Sequence, residues 1–72
     1  MSALQAELQR LSGTTLAETG AANAWAATSG LALVGALNAK AGTSGLDLQG
    51  VLNRLANTTG LAEVEAARRI TA

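Results

Sequence analysis

Apolar residues in this chain come in short helical runs that restart every fifteen residues, with no insertion or deletion. Leu48, Val51, Leu52 and Leu55 fall on one side of a helix, and Leu46, Gly50 and Asn53 fall on the other. The preceding run repeats this split, with Leu33, Ala36 and Leu37 against Leu31, Gly35 and Asn38. Between runs a phrase returns as Thr28-Ser29-Gly30-Leu31, Thr43-Ser44-Gly45-Leu46 and Thr58-Thr59-Gly60-Leu61, with a degraded copy at Gly13-Thr14-Thr15-Leu16. Three further columns keep the same phase: Gly20, Gly35 and Gly50; Asn23, Asn38 and Asn53; Trp25, Lys40, Leu55 and Ile70. A strict period predicts a stack of equivalent small units.

Each unit reads as one helix of about ten residues followed by a short turn. Ser44, with Asp47 three residues on, resembles a capping box at a helix start. Thr28, Ser29 and Gly30, like their counterparts Thr43, Ser44, Gly45, Thr58, Thr59 and Gly60, are therefore expected to form turns and cap the helices that follow. Gly42 and Asn57 stand where a left-handed cap would end a helix. A glycine inside a helix costs roughly 1 kcal/mol relative to alanine. Its recurrence at Gly20, Gly35 and Gly50 predicts close approach by a neighbouring helix. The asparagine column can hydrogen-bond an adjacent turn and satisfy end groups there.

Ala3 to Leu11 forms a separate helical pattern, with Leu4, Leu8 and Leu11 in line. In the last unit Glu65 and Arg68 replace the glycine and asparagine, which predicts a terminal cap with a polar outer surface and no further neighbour. The organisation expected is all-α: a compact array of about five short helices in a single domain, residues 1–72. Its parts are an N-terminal helix (1–11) and units 12–26, 27–41, 42–56 and 57–72. Helices this short rarely persist alone and must be held by packing. A β-solenoid would also place Thr and Gly at turns, but stretches such as Ala21-Ala22-Asn23-Ala24 argue against strands.

Composition alters this picture in one respect. Of the residues, 17 are Ala and 12 Leu, with Trp25 the sole aromatic, so the core is thin and support from a partner or from copies of itself is expected. Five acidic and five basic residues cancel, so nothing draws the chain toward nucleic acid or an anionic membrane. Thr19 to Ala39 is uncharged, but Asn23, Thr28, Ser29, Gly30 and Asn38 interrupt it, and a membrane span is not expected. Glu7 and Arg10 break any signal-peptide pattern at the N-terminus.

Candidate chemistry is sparse. Without His or Cys there is no common general base, no thiolate and no usual metal set, so neither an enzyme nor a cofactor or metal site is expected. Glu63 and Glu65 point in different directions on a helix and make no acid pair. The Thr-Ser-Gly turns lack the lysine of a phosphate-binding loop, which favours plain capping. Trp25 reads as either an interface anchor or a core residue, and the two merge if the core is shared between subunits. With it, Leu33, Leu37, Leu48, Leu52, Leu55 and Ile70 form the expected interface and packing set. Arg68 and Arg69 suit a helix C-terminus or an acidic docking partner, and Lys40 and Arg54 read as a solvated face.

The turns, together with Gly20-Ala21-Ala22-Asn23-Ala24-Trp25, carry a likeness. With Leu33 to Gly42 and Gly50 to Ala56, the chain resembles small repeat modules of actinobacterial tailed phages and prophages over about residues 11–70. It departs from them at Thr15 and Asn57, where those modules have glycine. The resemblance implies a virion structural role, most simply as a capsid decoration or cement protein. The partner would then be the major capsid protein or another virion protein, besides copies of itself. A tail or head fibre attachment module is the close alternative. Readings of other classes are a holin-like or bacteriocin-like membrane-active peptide built on Thr19 to Ala39, and a small regulatory module for a host protein.

Overall fold

Every fifteen-residue unit folds as one α-helix and one turn, and an additional helix precedes the first unit. A computed structural model of the chain describes residues 2–71. Among these residues there are five helices and no strand: α1 (Ala3–Ser12), α2 (Glu18–Ala26), α3 (Leu33–Ala41), α4 (Leu48–Ala56) and α5 (Glu63–Arg69).

The helices begin later than the turn phrases suggest. Asp47, not Ser44, is the N-cap of α4, and its carboxylate accepts from Gly50 N–H at 2.7 Å. Ala17, Ala32 and Ala62 occupy the same position before α2, α3 and α5 and give no side-chain cap. The hydroxyls of Thr28, Thr43 and Thr58 turn back to the helix before them instead. The reason lies in how the chain leaves each helix. Ala27, Gly42 and Asn57 take left-handed backbones, with φ 57, 70 and 58°. The N–H of the following threonine then returns to the asparagine carbonyl, at 2.8 Å for Thr28 to Asn23. Gly30, Gly45 and Gly60, again at positive φ, redirect the chain before the next helix begins.

Neighbouring helices in sequence are neighbours in space, and α1 also meets α5, so the five form a closed circuit. The last unit is therefore no free-standing cap. Arg68 lies 3.2 Å from Glu65 and 3.8 Å from Glu7 of α1. Each repeat helix sends two consecutive residues to the centre: Ala21-Ala22, Ala36-Leu37, Val51-Leu52 and Ala66-Ala67, all with no exposure. The sizes are complementary around the circuit. Helix α1 lies between α2 and α5, whose inward pairs are both Ala-Ala, and it brings Leu4, Leu8 and Leu11 to the same core. A fully buried leucine such as Leu8, Leu37 or Leu52 contributes roughly 1.5–3 kcal/mol.

The glycine column does not mark a helix–helix contact. A Cβ at Gly20 would meet Leu16 Cβ at 3.2 Å, one at Gly35 Leu31 Cβ at 3.7 Å, and one at Gly50 Leu46 Cβ at 3.7 Å. At Gly50 it would also meet the capping carboxylate of Asp47 at 2.8 Å. In each case the neighbour belongs to the same unit, because the leucine four residues earlier folds back over the first turn of its own helix.

Candidate interaction surface

The polar chemistry of the chain is concentrated in its turns, where it is consumed internally. Asn23 is only 7% exposed. Its Nδ2 donates to Thr19 O at 2.8 Å and to Leu31 O at 2.9 Å, while Oδ1 accepts from Thr28 Oγ1 at 2.9 Å and Leu31 N–H at 3.2 Å. Both donors and both lone pairs of the amide are thereby used. Asn38 makes the same four bonds, to Val34 O, Leu46 O, Thr43 Oγ1 and Leu46 N–H. Asn53 repeats them with Gln49 O, Leu61 O, Thr58 Oγ1 and Leu61 N–H. Each asparagine is a clasp that fixes the approach to the next helix. Ser29, Ser44 and Thr59, between the threonine and the glycine, stand exposed.

The first turn lacks this clasp because Leu8 occupies the asparagine column. Gln9 Nε2 partly replaces it, donating to Leu16 O at 2.9 Å. In the last unit Arg68 stands in the asparagine column, and Arg10 of α1 reaches the main chain there instead. Its Nη2 donates to Ala67 O at 3.2 Å and Ile70 O at 3.0 Å, across the seam between α1 and α5. Among the described residues no buried side-chain nitrogen or oxygen lacks a partner. No cluster of residues there could hold a metal ion, and no helix is long and apolar enough to cross a membrane.

The expected interface set divides when placed in the structure. Leu37, Leu52 and Ile70 are buried in the chain's own core. Trp25, Leu33, Leu48 and Leu55 are half-buried and pack against that core. Lys40 is not simply solvated: its Nζ lies 5.2 Å from the centre of the Trp25 ring, bridging α3 to α2 as a cation–π contact. The large apolar side chains left exposed are Leu16, at 48%, and Leu31, at 39%. The sequence pattern placed Leu31 on the face opposite the packing leucines without marking it as a contact. Their position in the repeat does not mark them, because Leu46 and Leu61 stand equally just before a helix and pack against the core.

Leu31 lies within a stretch of unusual composition, and Leu16 lies three residues before it. From Thr19 to Ala39 there is no charged residue, so all ten charges of the chain lie elsewhere. The exposed positions of this stretch are Thr19, Ala24, Ala27, Ser29, Gly30, Leu31, Ala32, Gly35 and Ala39, every one small or apolar. No known protein family, curated protein or solved structure matches the chain. An open groove of about 460 Å³ lies between the start of α4 and the turn after it. Asp47, Gln49, Asn53 and Thr58 line it but are already bonded within the chain, while Arg54 and the Thr59 hydroxyl are not. The exposed residues with the least internal use are thus those of the uncharged segment from Thr19 to Ala39, which Glu18 of α2 and Lys40 of α3 bound.

Proposed function

We propose that the chain is a structural protein of a tailed-phage virion, a decoration or cement protein that docks on the shell through the uncharged segment of α2 and α3 around Leu31. The observation that carries the reading is the exposure of Leu31 within the segment Thr19 to Ala39, which holds no charge, with Leu16 exposed three residues before that segment. Contact there desolvates apolar groups without stranding an ion, which is the composition of an interface centre. The resemblance of the repeat phrases to those of phage modules supports the same reading. Rigid turns suit it as well, because a surface fixed by side-chain clasps loses little freedom on docking.

The test is mass spectrometry of purified particles for copy number, followed by add-back of purified chain to particles lacking it. Leu31→Glu would place a carboxylate in the contact and weaken binding by about 2 kcal/mol or more, roughly thirtyfold in Kd. Its melting temperature should be unchanged, because Leu31 lies outside the core. Binding unaffected by Leu16→Glu and Leu31→Glu together would remove the docking face. Absence of the chain from particles would remove the virion reading. Labelling of tails instead of heads would transfer it to an attachment module.

A further inference from the structure

The seam between α1 and α5 is built differently from the other four, and that difference has a consequence for pairs of molecules. We propose that α1 is an exchangeable strap: in a pair of copies of this chain, each α1 leaves its own circuit and closes the circuit of the other.

Four observations converge on it. First, α1 satisfies its own ends. Ser2 Oγ accepts from Gln5 N–H at 3.0 Å, and the N–H groups of Gly13 and Thr14 return to Gln9 O at 2.8 and 3.2 Å. The helix can move as a unit without uncapping itself. Second, its seat is shaped for leucine. The Ala-Ala pairs of α2 and α5 flank it, and Leu8 is fully buried among them, with Leu4 and Leu11 nearly so. Neither a vacated seat nor a freed strap is stable in water, so a departing α1 must reseat, and a second copy offers an identical seat.

Third, no turn links α1 to α5. The polar contacts across that seam are the Arg10 bonds to Ala67 O and Ile70 O and the approach of Glu7 to Arg68 at 3.8 Å. Charged groups at a surface are weakened by salt. Fourth, the link from α1 to α2, Gly13 to Ala17, is the one turn without an asparagine clasp. It depends on Gly13 at φ +67°. Extended, its five residues reach about 16 Å, enough to hand the strap to a molecule alongside. Exchange of an identical element is a low-cost route to a dimer.

The experiment combines isotope mixing with zero-length coupling. Arg68→Lys places an amine beside Glu7, and carbodiimide joins a carboxylate to an amine only in direct contact. Equal amounts of light and heavy-nitrogen protein carrying Arg68→Lys and Gly13→Val are mixed, warmed briefly in high salt, cooled and coupled. Valine at positive φ strains the closed turn, whereas the extended link tolerates it. Mass spectrometry should find joined Glu7–position 68 peptide pairs of mixed isotope, rising toward half of all joined pairs at full exchange. Joined pairs of a single isotope throughout would overturn the proposal. The same mixing with the native Gly13, at high protein concentration, keeps the test decisive should Gly13→Val fail to fold. A dimer formed through Leu16 and Leu31 would give single-isotope pairs only, so this outcome is separable from that of the docking reading.

Discussion

Replacing Asn38 with alanine tests the central structural argument, that side-chain clasps and not core packing set the path of the turns after α2, α3 and α4. The substitution removes four hydrogen bonds, at 2.9, 3.0, 2.9 and 3.3 Å, and leaves the N–H and C=O of Leu46 and the hydroxyl of Thr43 without partners. A neutral bond contributes about 0.5–1.5 kcal/mol net, so four are worth about 2–6 kcal/mol. Leu46 and Thr43 are only partly buried, so water replaces some of that, which places the loss in the lower half of the range. Alanine also favours the helix by about 0.6 kcal/mol over asparagine. The expected net loss is about 2–3 kcal/mol. A domain of 72 residues has a total stability on the order of 4–11 kcal/mol, so the effect is large. Thermal unfolding followed by circular dichroism should show a fall of roughly 10–20 °C. Thr43→Val removes one bond of the four and should cost about 1 kcal/mol, with the double variant losing less than the sum. A loss below about 0.5 kcal/mol in Asn38→Ala would refute the clasp as the determinant of the turn.

Three other outcomes follow from the geometry. Arg10→Met keeps the aliphatic stem but abandons the carbonyls of Ala67 in α5 and Ile70 just beyond it, and the 3.0 Å contact with Glu7; it should cost about 1–2 kcal/mol and speed hydrogen exchange in α1 and α5 before other helices. Left-handed caps should respond in opposite directions, with Ala27→Gly raising stability and Gly42→Ala lowering it, each by about 1 kcal/mol in urea titrations. Trp25→Ala, which empties a half-buried site and frees Lys40, should cost about 2 kcal/mol, less than the 3–5 kcal/mol of a fully buried aromatic. Unchanged urea midpoints in that variant would show that Trp25 adds nothing to the fold.

The fifteen-residue period made the helices and their order legible, because one unit's pattern of Leu48, Val51, Leu52 and Leu55 returns in register with the next. The left-handed positions at Gly42 and Asn57 were legible too, since the residue types that tolerate positive φ stood at the ends of apolar runs. Helix starts were not. Ser44 with Asp47 fits a capping box, but the chain must first pass Gly45 and present Leu46 to Asn38 before a helix can begin, and that constraint links residues eight apart through backbone atoms. The glycine column misled for a related reason: composition marks absence of a side chain, not which neighbour fills the space. Closure of α1 on α5 depends on Arg10 reaching carbonyls at Ala67 and Ile70, and backbone acceptors leave no trace in a sequence. Leu16 and Leu31 look like any other leucine until burial distinguishes them.

Because the asparagine clasps bond mostly to main-chain atoms, each unit brings its own instructions for turning and needs little from the identity of its neighbours. An in-frame tandem copy of one unit therefore yields a chain whose bends are already specified, while the residues facing the centre remain free to drift between alanine, valine and leucine. Such a motif can lengthen by duplication first and acquire a fitted interior afterwards, with only the two outermost helices requiring a new joint.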